Sequence, residues 1–173
     1  SVAKGRAHPP LGLLVDEVGV HFDATAPSRM EQLIAAPITA AEADRSRALQ
    51  RLWREQRLSK VNPPVEAEAP QEPYVLVVDQ SAGDRSIALG LADPNSFQRM
   101  LQAALVEYPD CTVVLKVHPD VISGRARGHF NARDLAHPRL RLSADGGHPA
   151  RLLEGARAVY VVTSQMGFEA LLW

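Results

Sequence analysis

Two small hydroxyl residues, Thr163 and Ser164, stand between an apolar run and a helix-like segment. The apolar run, 158–162, is typical of a buried parallel strand, and Ser164 is a favourable N-cap for the following helix. The first N–H groups of a helix have no partner within it, so this junction suits an anion such as phosphate. Glu169, one helical turn later, could point back toward a sugar hydroxyl of a ligand bound at this junction. An ordinary capped helix with a surface glutamate is the alternative.

Asp84 lies in a second polar segment, 79–86, directly after Gly83. A carboxylate in a loop at the mouth of a crevice can act as a base, as a nucleophile toward an anomeric carbon, or as a stabiliser of an oxocarbenium ion. Gly-Asp pairs also form ordinary tight turns. The residues of this segment alone leave both interpretations open.

The third polar segment contains Lys116 and His118, which strand alternation would place on the same face. Side by side at a strand end, they could hold a phosphate or a carboxylate, and Pro119 would fix the loop that follows. A His-Pro pair is otherwise an ordinary strand exit. More positive charge lies on the glycine-punctuated segment 124–129, called here the basic loop, which could face an anionic sugar or a lipid head group. Its charged residues are Arg125, Arg127 and His129.

Strand and helix patterns alternate from Tyr74 onward and predict an α/β fold with a Rossmann-like parallel sheet covered by helices on both faces. Ligands of such sheets bind beyond the carboxyl ends of the strands. The three polar segments fall at those ends, so we expect them to converge on one crevice. The predicted strands are 74–79, 112–117, 139–142 and 158–162, and the predicted helices are 94–108 and 149–155.

The N-terminal part of the chain has a different pattern. The pattern of residues 11–23 predicts a β-hairpin, and that of residues 27–35 predicts a short helix. A capping box at Thr39 opens a longer helix, 39–58. The segment 59–73 is rich in proline and glutamate and predicts a linker. The apolar residues expected on the buried side of the longer helix are Leu49, Leu52 and Trp53.

Composition restricts the classes of function. The 173 residues carry a net charge of −1, which gives no electrostatic case for binding nucleic acid. Cys111 is the single cysteine, so the sequence contains no disulfide framework or cysteine metal site. The histidines also lack the spacing of metal ligands. No apolar run approaches a membrane span of about 20 residues. Because the chain starts at Ser1 and stops at Trp173, inside a predicted helix, we expect a fragment truncated at both ends.

Four segments in this order resemble the β-Kdo transferases of bacterial capsular polysaccharide biosynthesis. They are residues 11–28, 75–87, 116–129 and 163–171. The Asp-Gln and Thr-Ser-Gln-Met variants resemble the first catalytic module of dual-module members. The resemblance implies a GT-B architecture, in which two Rossmann-like halves enclose a cleft. Residues 1–58 would then end the N-terminal half, and residues 74–173 would form an incomplete donor-nucleotide-binding domain.

The resemblance also implies a reaction: transfer of β-Kdo from CMP-Kdo, with retention, onto a lipid-linked Kdo primer of the phosphatidylglycerol type. Asp84 would be the nucleophile. Lys116 and His118 would bind the phosphate or the Kdo carboxylate and stabilise the departing CMP. Ser164 would hold phosphate, and Glu169 would bind ribose hydroxyls. Further donor contacts would be Gln80, Ser86, Pro119 and Gln165.

The implied enzyme needs no metal and no cofactor besides its donor substrate. It would work in the cytoplasm of a Gram-negative bacterium, at the inner membrane surface, with a capsule assembly complex as a partner. The fragment alone is expected to be inactive. One alternative is another CMP- or UDP-sugar enzyme that resembles a sialyltransferase or an epimerase and would not need Asp84. The other is a non-catalytic module that binds a nucleotide or a glycolipid.

Overall fold

A computed structural model describes residues 15–173, in which four parallel strands form one sheet with the order β3-β2-β1-β4. β1 pairs with β2 from Tyr74↔Thr112 to Val78↔Lys116, and β1 pairs with β4 at Leu76↔Val159. The sequence prediction of a parallel α/β sheet is confirmed. The strands are β1 Tyr74–Val78, β2 Thr112–Lys116, β3 Leu140–Ser143 and β4 Val159–Tyr160.

Helices cover both faces of this sheet, and two more precede it. None of the helices among the described residues is long and apolar enough to cross a membrane. The helices before and after β1 are α1 Arg29–Ala35, α2 Ala40–Glu55, α3 Arg85–Leu89 and α4 Pro94–Glu107. The later helices are α5 Pro119–Ile122, α6 Ala132–Leu135, α7 Ala150–Gly155 and α8 Met166–Ala170.

Successive apolar residues of the central strands point to opposite faces of the sheet and pack into two separate apolar layers. On one face, Val75 and Val77 pack with Phe97 of α4. On the other face, Leu76 packs with Leu152 of α7. All five residues of β1 are buried, as expected for a strand covered on both sides. Burial on both faces makes β1 the rigid centre from which the loops at its carboxyl end project.

The strand order determines where a ligand crevice opens. The chain moves from β1 to β2 to β3 in one direction, then crosses back to place β4 on the opposite side of β1. The carboxyl ends of β1 and β4 therefore form the topological switch point, where open parallel sheets bind ligands.

The N-terminal region, residues 15–58, confirms the predicted helix starts. Ser28 caps α1 and Thr39 caps α2, each within a complete capping box. The buried side predicted for the longer helix is wrong at Leu49 and Leu52, which are 54% and 48% exposed, and α2 contains no fully buried residue. Trp53 is half-buried, and its Nε1 is buried. α2 also ends at Glu55 rather than Leu58.

The predicted hairpin is not present within the described residues. Residues 15–23 form bends and turns, and the remainder of the prediction, 11–14, lies outside the described residues. The physical reason is local: Asp16 Oδ1 accepts the N–H of Val18 at 2.9 Å and of Gly19 at 3.1 Å. Such side-chain bonds compete with strand pairing for the backbone donors.

The connecting segment, residues 59–73, is irregular but packs closely against the sheet region. Glu66 forms an isolated parallel bridge with His148, and the Ala67 N–H donates to His148 O at 2.9 Å. Ala67 is fully buried. A Cβ at Gly147 would lie 2.5 Å from Ala67 N, so glycine permits this approach.

Candidate functional site

The switch point is closed by a hydrogen-bonded group that ties the ends of β1 and β4 together. Gln80 is 4% exposed. Its Oε1 accepts the Thr163 N–H at 3.0 Å, and its Nε2 lies 3.0 Å from Thr163 Oγ1. Ser86 Oγ lies 3.2 Å from the same hydroxyl. The structure thus brings Gln80 and Ser86 together through Thr163, a link between segments that the sequence did not predict.

The segment after β4 differs in detail from the predicted helix start. α8 begins at Met166, so Gln165 takes the cap position and makes no side-chain cap bond. Ser164 Oγ still accepts the Met166 N–H, at 3.3 Å, so Ser164 performs the capping function one residue early. α8 has five residues, and its dipole is correspondingly small. The predicted phosphate role of Ser164 and Gln165 stays a prediction.

His118 is held at the entrance of α5 with Pro119 as the first helical residue. The Ser81 hydroxyl and the Asp120 N–H approach Nδ1 at 3.2 and 3.1 Å. A nitrogen that accepts these bonds carries no proton, so the neutral ring has its proton on Nε2. His118 can therefore present a donor N–H to an anion from the half-exposed side of its ring.

Lys116 is the last residue of β2 and is 7% exposed. Its Nζ donates to Gly147 O at 3.3 Å. Burial lowers the pKa of Lys116, and the nearby charge of Asp145 opposes that shift. The prediction placed Lys116 and His118 on one face of a strand. β2 ends at Lys116, so strand alternation does not extend to His118. Lys116 bonds to Gly147 O and His118 to Ser81, so the two side chains are held by different loops.

Asp84 is an exposed residue of the short loop 81–84, called here the Asp84 loop. Its Oδ1 accepts the Ser86 N–H at 2.9 Å and caps α3. Its own N–H donates to Ser81 O at 3.1 Å, and Gly83 has a φ of +85°. The turn interpretation is therefore correct for the backbone, and it presents the carboxylate to solvent beside the switch point.

The basic loop divides into exposed and buried parts. Arg125 and Arg127 are exposed, and Arg125 Nη1 pairs with Asp120 Oδ1 at 3.2 Å. The expectation that His129 adds charge to the loop surface is wrong. Its ring is buried, with Nδ1 3.0 Å from Asp79 Oδ1 and with its plane stacked on Phe97.

Glu169 is 3% exposed, and both carboxylate oxygens have protein partners. Ser59 Oγ donates to Oε2 at 2.6 Å, and the Lys60 N–H donates to Oε1 at 3.2 Å. Glu169 therefore joins α8 to the connecting segment. To bind ribose hydroxyls, Glu169 would have to give up its contacts with Ser59 and Lys60. The predicted ribose role of Glu169 stays a prediction.

Side chains with metal-binding chemistry are dispersed. Within residues 15–173 the structure shows no group of three or more His, Cys, Asp or Glu residues that could hold a metal ion. The expectation of a metal-independent reaction stays a prediction.

Comparison with known proteins shows related sequences. Residues 41–173 match the family described as capsule polysaccharide biosynthesis protein. The chain is 39% identical over 174 residues to the capsule polysaccharide modification protein LipA of Neisseria meningitidis serogroup B, covering 95% of this chain and 25% of LipA. It is 34% identical over 181 residues to the lipopolysaccharide-processing protein LpsZ of Rhizobium meliloti, covering 99% of this chain and 41% of LpsZ. The chain thus spans a quarter to two fifths of these relatives.

Solved structures show the same fold. The chain superposes on the β-Kdo 2,4 transferase of Thermosulfurimonas dismutans KpsC with a TM-score of 0.82 and 38% identity, over 99% of this chain and 55% of that one. For the β-Kdo 2,7 transferase of the same KpsC the TM-score is 0.64 at 24% identity, over 91% and 48% of the two chains, which supports the fold alone. The resemblance to capsule Kdo transferases is confirmed, and the chain belongs to the capsule polysaccharide biosynthesis protein family.

Proposed function

We propose that this chain is the donor-binding part of a retaining glycosyltransferase that moves β-Kdo from CMP-Kdo onto a lipid-linked Kdo primer. The observation that carries the proposal is the convergence of Gln80, His118 and Asp84 at the carboxyl ends of β1 and β2, beside the switch point. The KpsC structure that shares this fold at 38% identity is described as a β-Kdo 2,4 transferase.

In this proposal Asp84 attacks the anomeric carbon of Kdo. A bond forms between a carboxylate oxygen and that carbon while the bond to the phosphate oxygen of CMP breaks, and CMP leaves with the electron pair. An acceptor hydroxyl then attacks the same carbon and gives its proton to water, while the bond to Asp84 breaks and restores the free carboxylate. Two inversions give net retention. The Oδ1 bond to the Ser86 N–H leaves Oδ2 for the attack.

Positive charge and N–H donors near the departing phosphate lower the barrier, because negative charge develops there as CMP leaves. His118 supplies a donor from Nε2. Lys116 supplies a buried charge in a site where charges interact more strongly than in water. The Kdo carboxylate is the second anion that this pair could bind. Burial lowers the pKa of Lys116, so this side chain loses its positive charge at a lower pH than an ordinary lysine does. Donor affinity should therefore begin to fall at that lower alkaline pH.

The remaining partners follow from the same proposal. The acceptor is a glycolipid primer of the phosphatidylglycerol type, and the exposed Arg125 and Arg127 face its anionic groups. The full-length parent works as a GT-B enzyme at the cytoplasmic face of the inner membrane, with no metal or cofactor, within a capsule assembly complex. The 173-residue chain alone lacks transfer activity, since a GT-B cleft needs both walls.

The decisive experiment compares two aspartates in the full-length parent. Asp84 and Asp93 both cap helices through an exposed carboxylate, so Asp84→Asn and Asp93→Asn remove the same charge from the same local role. With CMP-Kdo and a Kdo-primed lipid analogue, we expect Asp84→Asn to lower the transfer rate on the order of 10³-fold or more while CMP binding is kept. Asp93→Asn should transfer at nearly the wild-type rate.

The other outcomes identify the alternatives. Wild-type CMP binding without product would support a non-catalytic binding module. Transfer from another sugar nucleotide that survives Asp84→Asn would support a different sugar-nucleotide enzyme. Turnover by the 173-residue chain alone would contradict the need for a second wall.

A further inference from the structure

Asp79 and His129 form a buried pair to which the proposed reaction assigns no role. Asp79 directly follows β1, and its side chain is 3% exposed, while that of His129 is 7% exposed. Asp79 Oδ1 accepts the Gln80 N–H at 2.8 Å, and the His129 N–H lies 3.3 Å from both carboxylate oxygens. His129 Nδ1 must donate its proton across the 3.0 Å contact, because a carboxylate can only accept.

The surroundings of His129 restrict it to this position. Its ring stacks on Phe97 of α4 with centroids 3.6 Å apart and planes within 1°. Gln98, the next residue of α4, donates from Nε2 to His129 O at 3.2 Å. A Cβ at Gly128 would lie 2.3 Å from Asp79 Oδ2, so the backbone approaches the carboxylate as closely as glycine allows. These contacts fasten residues 128–129 to β1 and α4.

The fastened residues in turn support the Asp84 loop. Arg127 O accepts the Ala82 N–H at 2.7 Å, which joins the basic loop to the Asp84 loop two residues before Asp84. The other support of this loop is the contact of Ser81 with His118. Asp79 therefore contacts the backbone of the Asp84 loop indirectly: it binds His129, and the neighbouring Arg127 O accepts the Ala82 N–H.

We propose that Asp79 and His129 are positioning residues that hold the Asp84 carboxylate in place through the Arg127–Ala82 backbone bond. This inference rests on the proposed role of Asp84. Its physical basis is the cost of a buried carboxylate without donors, which keeps His129 bound to Asp79. A displaced Asp84 loop would leave Gln80 and its bonds to Thr163 intact while moving the nucleophile off line. A displacement of about 1 Å can cost about 10²-fold in rate.

The test uses three variants of the full-length parent. His129→Phe keeps an aromatic ring against Phe97 and removes the donor to Asp79. His129→Asn places an amide N–H where Nδ1 lies and should rescue the contact. His137→Phe is the matched control, since His137 is a half-buried histidine whose Nδ1 accepts the Arg139 N–H, away from this chain of contacts.

Two readouts separate positioning from general damage. Amide hydrogen exchange of Ala82, bonded to Arg127 O, should be about tenfold faster in His129→Phe than in wild type, because the supporting residues loosen. With CMP-Kdo, kcat should fall on the order of 10²-fold, with KM for the donor changed less than about threefold. His129→Asn and His137→Phe should stay near wild type in both readouts.

The outcomes decide between this inference and the proposed function. Unchanged Ala82 exchange and unchanged kcat in folded His129→Phe would overturn the positioning role. Faster exchange in a parent that transfers no Kdo would support the structural link and contradict the proposed function instead. If His129→Phe does not fold, Asp79→Asn replaces it. That variant keeps one acceptor oxygen for His129, so its Ala82 exchange should be intermediate, and wild-type exchange there would contradict the inference.

Discussion

The N-terminal region and the sheet region both form helices with strong local signals, yet only the sheet region builds an apolar core. α2 has a complete capping box and no buried residue. α4 also has a capping box, and it buries Phe97 and Leu101 against β1 and β2. The comparison separates two properties: caps decide where a helix starts, whereas burial depends on the partner that the fold brings to the helix.

The two regions are joined mainly by polar contacts. Gln50 Nε2 lies 3.4 Å from Leu171 O, and Arg54 donates to Leu172 O. Arg57 Nη1 pairs with Glu154 Oε2 of α7 at 3.0 Å, and Arg57 lies over the Trp173 ring, 5.6 Å from its centroid. Such contacts give orientation but contribute less free energy than apolar burial.

The largest expected difference comes from the same substitution in the two regions. Leu76→Ala should lower the free energy of unfolding by about 3–5 kcal/mol, because Leu76 is fully buried and its removal leaves a cavity. Leu49→Ala, at a half-exposed helix position, should change it by less than about 0.5 kcal/mol. Urea unfolding of the 173-residue chain measures both. Equal losses would contradict the separation of the two regions into core and surface.

A smaller effect is expected at the buried hydroxyl–carboxylate contact between the connecting segment and α8. In a double-mutant cycle, Ser59→Ala and Glu169→Gln should each cost about 1–3 kcal/mol and should couple by about 1 kcal/mol or more. The control is the exposed contact of Thr112 Oγ1 with Glu72 Oε1, at 3.2 Å, with Thr112→Val and Glu72→Gln. Its coupling should be near zero, and a Ser59–Glu169 coupling as small would show that burial adds nothing to this contact.

The smallest effect is the pH dependence of the Arg57–Glu66 pair. The hydrogen bond from Arg57 is the main reason that the pKa of Glu66 lies below its ordinary value of 4.5. The stability from a lowered carboxyl pKa is complete above the ordinary value and is lost as pH falls through the folded-state value. The side chains are 36% and 34% exposed, so solvent screening keeps this contribution below about 1 kcal/mol.

Acid unfolding of wild type and Glu66→Gln measures that contribution. The difference in unfolding free energy between the two should be present at pH 6 and should shrink as pH falls below 4.5. A constant difference across this range would show that Glu66 acts through its shape rather than through its charge.

Several features of the fold and site were predictable from the sequence because they depend on neighbouring residues. The caps at Ser28, Thr39 and Asp93 are local hydrogen-bond patterns, and apolar runs indicated the strands. The convergence of polar segments followed from the parallel topology. The partners of His129 and Glu169 could not be predicted, because they lie 50 and 110 residues away in the chain.

The sequence by itself determined the alternation of strands and helices, the starts of α1, α2 and α4, and the polar residues at the strand ends, because short-range hydrogen bonding and apolar periodicity specify them. The tertiary structure decided which polar residues face a ligand and which are internal supports. Asp79 and Asp84 are both aspartates of the same polar segment, yet one is buried against His129 and the other is exposed. Only the packing of α4 and the basic loop around the end of β1 distinguishes them, since burial depends on segments distant in the chain.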